Sequence, residues 1–217
     1  MVKKYYTKEN FDKDGYTTAQ VKRHSVKVDQ RRSVADYKAI CEGLTPFLPQ
    51  GLPELKMLCL GTRNNWERDR LSLYLKKTSG LPLEVYSLDI APASNADYIM
   101  DFNSFPSDWE NKWDIIYSNA IDHSISSDDC FKEWIRILKP GGLMYTDWET
   151  QKARKKYTPT AADCCIFSDG AVRQVMKDNF FNIEILSEKI GRNEGCWLIQ
   201  KKPPAQERGA CVTNFFR

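Results

Sequence analysis

From Lys56 onward the chain alternates short apolar runs with amphipathic helical stretches, and no other feature restricts its fold as much. Strands connected through helices pair in parallel, and the helices cover the faces of the sheet. Met57 to Leu60, Glu84 to Ile90, Asp97 to Met100, Trp113 to Ser118 and Leu143 to Thr146 read as five successive strands. Trp66 to Lys77 reads as a helix with Trp66, Leu71, Tyr74 and Leu75 on its buried face. The next helix is capped by Ser127, has Asp128 and Asp129 at its positive end, turns Phe131, Trp134, Ile135 and Leu138 inward, and stops at Pro140-Gly141-Gly142. Ser168 to Asn179 reads as a last helix, with Val172, Val175 and Met176 inward. Two closing strands follow, Asn182 to Ser187 and Cys196 to Gln200. The pattern predicts a doubly wound α/β domain over residues 56–200.

Residues 1–32 are polar and basic, with scattered aromatics (Tyr5, Tyr6, Phe11, Tyr16) and no convincing period, and read as an extended or partly helical arm. Ser33 with Asp36 opens a helix in capping-box style, carrying Val34, Tyr37 and Cys41 on one face until Gly43. Pro46, Pro49 and Pro53 lead into the sheet. Residues 1–55 are therefore expected to pack on the domain as arm and helix, and residues 201–217 to form a tail.

At 217 residues, 41% hydrophobic and 28% charged, the chain can bury one sizeable core, and its composition fits neither disorder nor membrane spans. Its first ten residues carry Lys3, Lys4 and Lys8 without an apolar run, so the expected location is cytoplasmic. The seven cysteines include no CxxC pair and neighbour no histidine cluster, which favours reduced thiols over a metal site. A net charge of +3 is too small to assign a nucleic-acid partner.

Ligands of open α/β sheets bind at the carboxyl edge of the strands, and four points there carry chemistry. Gly61-Thr62-Arg63-Asn64-Asn65 follows the first strand. Gly61 permits close approach of a ligand to the backbone, and Asn65 tolerates a left-handed conformation. An ordinary strand-to-helix turn would read the same way. Asp89, beside Ile90 at the tip of the second strand, can accept both hydroxyls of a ribose, or equally cap a helix. Asp101 with Phe102 follows the third strand, where a carboxylate could accept from an adenine amino group and an aromatic could cover the ring; a turn aspartate fits as well. Ser118, Asn119 and His123 follow the fourth strand, where the reactive end of a nucleoside cofactor would lie.

The segments LKMLCLGTRNNWE, EVYSLDI, IMDFNSFP, WDIIYSNAIDHS and LKPGGLMYTDW, in this order, resemble the successive motifs of class I S-adenosylmethionine-dependent methyltransferases, in particular small enzymes whose fifth strand is announced by LKPGG. The resemblance covers about residues 56–200. It implies a Rossmann-like seven-stranded sheet, mostly parallel with a reversed last strand and helices on both faces. The closing strands, joined by a Gly191 to Gly195 turn, resemble the reversed hairpin of that family. S-adenosyl-L-methionine is the implied cofactor. Gly61, Thr62, Arg63, Asn64 and Glu67 would attend its methionine part, and Asp89 with Ile90 its ribose. Asp101 and Phe102 would attend its adenine, and Ser118, Asn119 and His123 its sulfonium end. The chain departs from the family pattern at Cys59, Arg63 and Asn65, which stand where an acidic residue and two glycines are common.

A general base is needed only for acceptors that carry a proton. His123 is the first candidate, then Asp122 and Asp147; lining the pocket is the alternative role for His123. Tyr117 and Trp148 could wall an acceptor site or belong to the core. The NPPY-like tetrad of enzymes that methylate nucleic-acid amines is absent, Ser118-Asn119-Ala120-Ile121 standing in its place. The expected acceptor is a small or medium-sized molecule. Lys152, Arg154, Lys155 and Lys156 are compatible with an anionic one, including nucleotide or RNA, or with a solvated loop. The alternative is a regulatory protein of the same fold that binds the cofactor without turnover. A nicotinamide oxidoreductase lacks support, since no GxGxxG follows the first strand.

Overall fold

The computed structural model describes residues 2–6, 10–24, 34–49, 51–147, 159–161, 164–167, 182–187, 189–190 and 196–203. In chain order they form β1 (Val2–Lys4), α1 (Lys13–His24), α2 (Val34–Leu44), β2 (Leu55–Leu60), α3 (Trp66–Ser79), β3 (Leu83–Asp89), β4 (Tyr98–Ile99) and β5 (Trp113–Ser118). Then come α4 (Ser127–Ile137), β6 (Leu138–Asp147), β7 (Cys165–Phe167), β8 (Ile183–Ser187) and β9 (Cys196–Lys201). The expected helix Ser168 to Asn179, the cap Ser33, the Gly191 to Gly195 turn and residues 204–217 lie outside the described residues.

Seven strands form one sheet in the order β4-β3-β2-β5-β6-β9-β8. The first five of these are parallel, and β9 runs antiparallel to both β6 and β8. The predicted doubly wound sheet with its reversed closing strand is therefore present. Strand parity sorts the core into two layers, as a period of two requires. Leu58, Leu60, Ile116 and Met144 face α4 with Phe131 and Trp134, whereas Met57, Cys59, Ile115, Tyr117 and Tyr145 face Tyr37, Cys41, Leu71 and Leu75 of α2 and α3.

Three local expectations are corrected. The helix α4 is capped by Ser126 rather than Ser127, and no side chain makes the cap bond. Gly43 does not stop α2, which runs on through Leu44; a Cβ at Gly43 would fall 2.3 Å from Ile190 Cγ2, so close packing is what demands glycine there. Pro140-Gly141-Gly142 does not separate helix from strand, because β6 already begins at Leu138 and the motif makes an irregular stretch between Trp113 and Ile115 of β5. There Lys139 Nζ reaches both oxygens of the buried Asp114 at 2.9 Å, and a Cβ on Gly142 would press on the Asp114 and Lys139 carbonyls. LKPGG thus serves the amino edge of the sheet, opposite the edge where ligands bind. Of the two readings of the arm, extended or partly helical, the second holds for residues 13–24, which form the three-turn helix α1.

Six cysteines are buried, and none of them forms a disulfide among the described residues. Burial raises the Cys41 thiol to about 12 and those of Cys59 and Cys130 well above the ordinary value, so none of these three is poised as a nucleophile. No described helix is long and apolar enough to cross a membrane.

Candidate cofactor crevice

The turn after β2 is built against the tip of β3. Gly61 N–H and Thr62 N–H donate to Leu88 O, and Arg63 N–H donates to Asp89 Oδ2 at 2.8 Å. Gly61 (φ 71°), Arg63 (φ 54°) and Asn65 (φ 60°) all adopt left-handed conformations. The latter two are the positions where the family pattern has glycines, so the loop keeps a glycine-like path through residues that tolerate it less readily. Asn65 is compensated by hydrogen bonds: its Nδ2 donates to Asn95 O at 2.7 Å, and its Oδ1 accepts from Thr62 Oγ1 at 3.2 Å. Asn64 Oδ1 accepts from Trp66 N at the start of α3.

Asp89 is fully buried. Its Oδ1 accepts from Ala91 N–H and its Oδ2 from Arg63 N–H, both at 2.8 Å. His24 Nδ1 lies 2.8 Å from Oδ2 and 3.1 Å from Oδ1. A carboxylate only accepts, so the proton of that contact sits on His24 Nδ1. Burial pushes the Asp89 carboxyl up, but the hydrogen bond and charge of His24, with the two amides, more than reverse this and hold it below the usual carboxylate range. Ile90, next in sequence, packs against Tyr6, Tyr16 and Cys164.

Asp101 Oδ1 accepts from Asn103 N (2.9 Å) and Asn103 Nδ2 (2.6 Å) and lies 3.5 Å from Tyr16 Oη. Phe102 turns its ring into the core against Trp134, and its carbonyl accepts from Trp134 Nε1 at 3.0 Å, so ring and carbonyl are both committed to packing. Ser118, fully buried, donates to Leu60 O and accepts from Ala120 N–H, which ties the ends of β2 and β5 together. Asn119 Nδ2 donates to Glu67 Oε1, and Tyr37 Oη donates to the same oxygen at 3.4 Å; Glu67 thereby links α2, α3 and the end of β5. Tyr117 stacks on Tyr145 inside the other layer, which places its ring in the core.

His123 is 3% exposed. Its Nδ1 lies 3.1 Å from Gln20 Oε1, its Nε2 lies 3.8 Å from Asp122 Oδ1, and its ring meets His24 edge-to-face at 5.4 Å between centroids. Its carbonyl lies 3.3 Å from Tyr16 Oη. The β3, β4 and β5 tips therefore border one crevice, and Tyr16, Gln20 and His24 of α1 fill it. None of these three was singled out from sequence as a site residue. Trp148, Lys152, Arg154, Lys155 and Lys156 lie outside the described residues; Asp147 is described only through its backbone, paired with Cys196.

No protein-family model matches the chain, and a search of curated proteins finds no match. Solved structures do match. A Methanococcus maripaludis protein, provisionally named an S-adenosyl-L-methionine-dependent methyltransferase, superposes with a TM-score of 0.54 at 19% identity, over 91% of this chain and 96% of that one. The fold is that of the class I methyltransferases. Haemonchus contortus phosphoethanolamine N-methyltransferase 2, bound to phosphomonomethylethanolamine and S-adenosylhomocysteine, gives a TM-score of 0.53 at 15% identity over 88% of this chain and 58% of that one. The [4+2]-cyclase SpnF gives 0.50 at 14% identity over 80% and 70%. At such identities the likeness speaks for the fold, and the cyclase is a reminder that one fold carries several activities.

Proposed function

We propose that the chain is an S-adenosylmethionine-dependent methyltransferase acting on a small or medium-sized acceptor. The observation that carries the reading is the Arg63 amide on the Asp89 carboxylate, which joins the turn after β2 to an acidic strand tip at the sheet edge where such folds take nucleosides. The donor set suits the cofactor. Asp89, oriented by the Arg63 and Ala91 amides, offers its oxygens to ribose hydroxyls once His24 gives way. Asp101, braced by Asn103, would accept from the adenine amine. Thr62, Arg63 and Asn64 would present the turn to the amino-acid end, and Glu67 would orient Asn119 beside it. A protein of the same fold that holds S-adenosylhomocysteine supports this reading.

The cofactor supplies an electrophilic methyl group on sulfur. The contribution of the chain is to hold the acceptor in line and exclude water, which can account for much of the rate. Where the acceptor carries a proton, the His123 imidazole is the group to receive it.

A second reading, a cofactor-binding protein without turnover, is favoured by Gln20, which takes up the His123 ring that proton transfer would use. Incubation with methyl-labelled S-adenosylmethionine and a panel of amine, carboxylate, phosphate-bearing and RNA acceptors separates the two. Label transferred to an acceptor and lost in Asp89→Ala supports the enzyme; cofactor binding without any transfer supports the second reading.

A further inference from the structure

Both histidines of the chain meet in the crevice, one from each side of it. His24 arrives on α1 together with Gln20 and Tyr16, and residues spaced by four share one face of a helix. All three are buried, at 6%, 1% and 2% exposure. Each answers a polar group that the proposed function assigns to the cofactor or acceptor. Tyr16 reaches Asp101 and Asn103, Gln20 reaches His123, and His24 sits on Asp89. We propose that α1 is a displaceable self-ligand, an autoinhibitory helix whose side chains stand in for an adenosyl cofactor and which must withdraw before the cofactor binds.

The contacts that seat α1 suit a part that exchanges. A helix sealed permanently would turn an apolar stripe to the core; here the buried inward face is one tyrosine, one glutamine and one histidine, and the apolar cluster it joins among the described residues is small: Tyr6, Tyr16 and Cys164, with Ile90, Ile125 and Ala161 against them. Hydrogen bonds of this kind can be replaced one for one by hydroxyl and amine groups of a ligand, with little net change. The docked state also carries a cost of its own: His24 Nε2 is buried without a hydrogen-bond partner among the described residues, and withdrawal of α1 would return it to water. Two amides already hold Asp89, so the carboxylate keeps its orientation when His24 leaves.

The inference rests on the methyltransferase reading, and its test separates the two. The full chain, its His24→Ala and Gln20→Ala variants, and the Tyr16→Ala/Gln20→Ala/His24→Ala triple are titrated calorimetrically with S-adenosylhomocysteine, and hydrogen exchange is followed over residues 13–24. When the binding-competent form is a minor fraction, apparent affinity rises in proportion to that fraction. His24→Ala is expected to tighten binding by about tenfold or more, and saturation of the wild-type chain is expected to strip α1 of its exchange protection. Equal affinity in wild type and both single variants, with α1 protected throughout, would overturn the inference and leave the methyltransferase reading intact. Absence of binding even in the triple variant, with α1 exchanging freely and the sheet still protected, would remove both.

Discussion

The His24–Asp89 contact predicts a measurable coupling, which a double-mutant cycle of His24→Ala and Asp89→Asn can isolate. Asp89 gathers three donors, the amides of Arg63 and Ala91 and the His24 ring, at 2.8 Å each. A hydrogen bond to a charged group is worth about 1.5–3 kcal/mol net. His24→Ala removes one of the three, and its cost cannot exceed the free energy that docks α1, because a helix with too little left to hold it simply leaves. An expected loss of about 1.5–3 kcal/mol is therefore a ceiling as much as a central value. Asp89→Asn removes the charge from all three contacts and sets an NH₂ group against one of the donors, for an expected loss of about 3–5 kcal/mol. In the double variant the His24 bond is lost only once, so the changes should fall short of additive by about 1.5–3 kcal/mol. Urea unfolding followed by tryptophan fluorescence reads the four stabilities. A coupling below about 0.5 kcal/mol, the scatter of independent sites, would refute the shared bond.

Gly61→Ala would place a Cβ 2.7 Å from Ala120 Cβ at a φ of 71°, and is expected to cost about 2–4 kcal/mol in urea unfolding; a cost under about 1 kcal/mol would mean that the turn relaxes freely. Glu67→Ala strips Asn119 and Tyr37 of a common acceptor, for an expected loss of about 1–3 kcal/mol, and an unchanged midpoint would argue that Glu67 does not tie α2 to the end of β5. Asp97 accepts from Ser87 N at 2.7 Å and from Ser87 Oγ at 2.8 Å, and pairs with Arg68 at 3.2 Å. Burial pushes its carboxyl up, yet these partners hold it below the usual range. A depressed folded value stabilises above the unfolded value, near pH 4, and the stabilisation disappears as pH falls through the folded one. The difference between wild type and Asp97→Asn should thus be full at pH 6 and vanish in strong acid; a difference independent of pH would contradict that assignment.

The sheet was legible because its signal is additive. Five apolar strands and the spacings in α3 and α4 each state their own period, and a misplaced boundary such as that at Leu138 leaves the topology untouched. The loop after β2 was half legible. Asn65 announced a left-handed turn, whereas Arg63 at φ 54° did not, since nothing local marks a long side chain for that conformation and its amide bond to Asp89 is a tertiary contact. Helix α1 was left open, as an extended or partly helical arm, for a different physical reason. Hydrophobic periodicity counts apolar residues, and the buried face of α1 is held by hydrogen bonds. The available signal was the Tyr16, Gln20, His24 spacing of four, preceded by Asp12, whose carboxylate accepts from Asp14 N–H in the first turn. Asp89 was picked for a chemistry it can perform, but a sequence shows no partner 65 positions away, and so could not reveal that His24 already occupies it.

A crystal structure of the chain grown with S-adenosylhomocysteine tests the account most directly. It should place the ribose hydroxyls on the Asp89 carboxylate and the adenine beside Asp101, with His24 and Gln20 withdrawn from the crevice. A ligand bound elsewhere while His24 stays on Asp89 would contradict the assignment of this crevice to the cofactor.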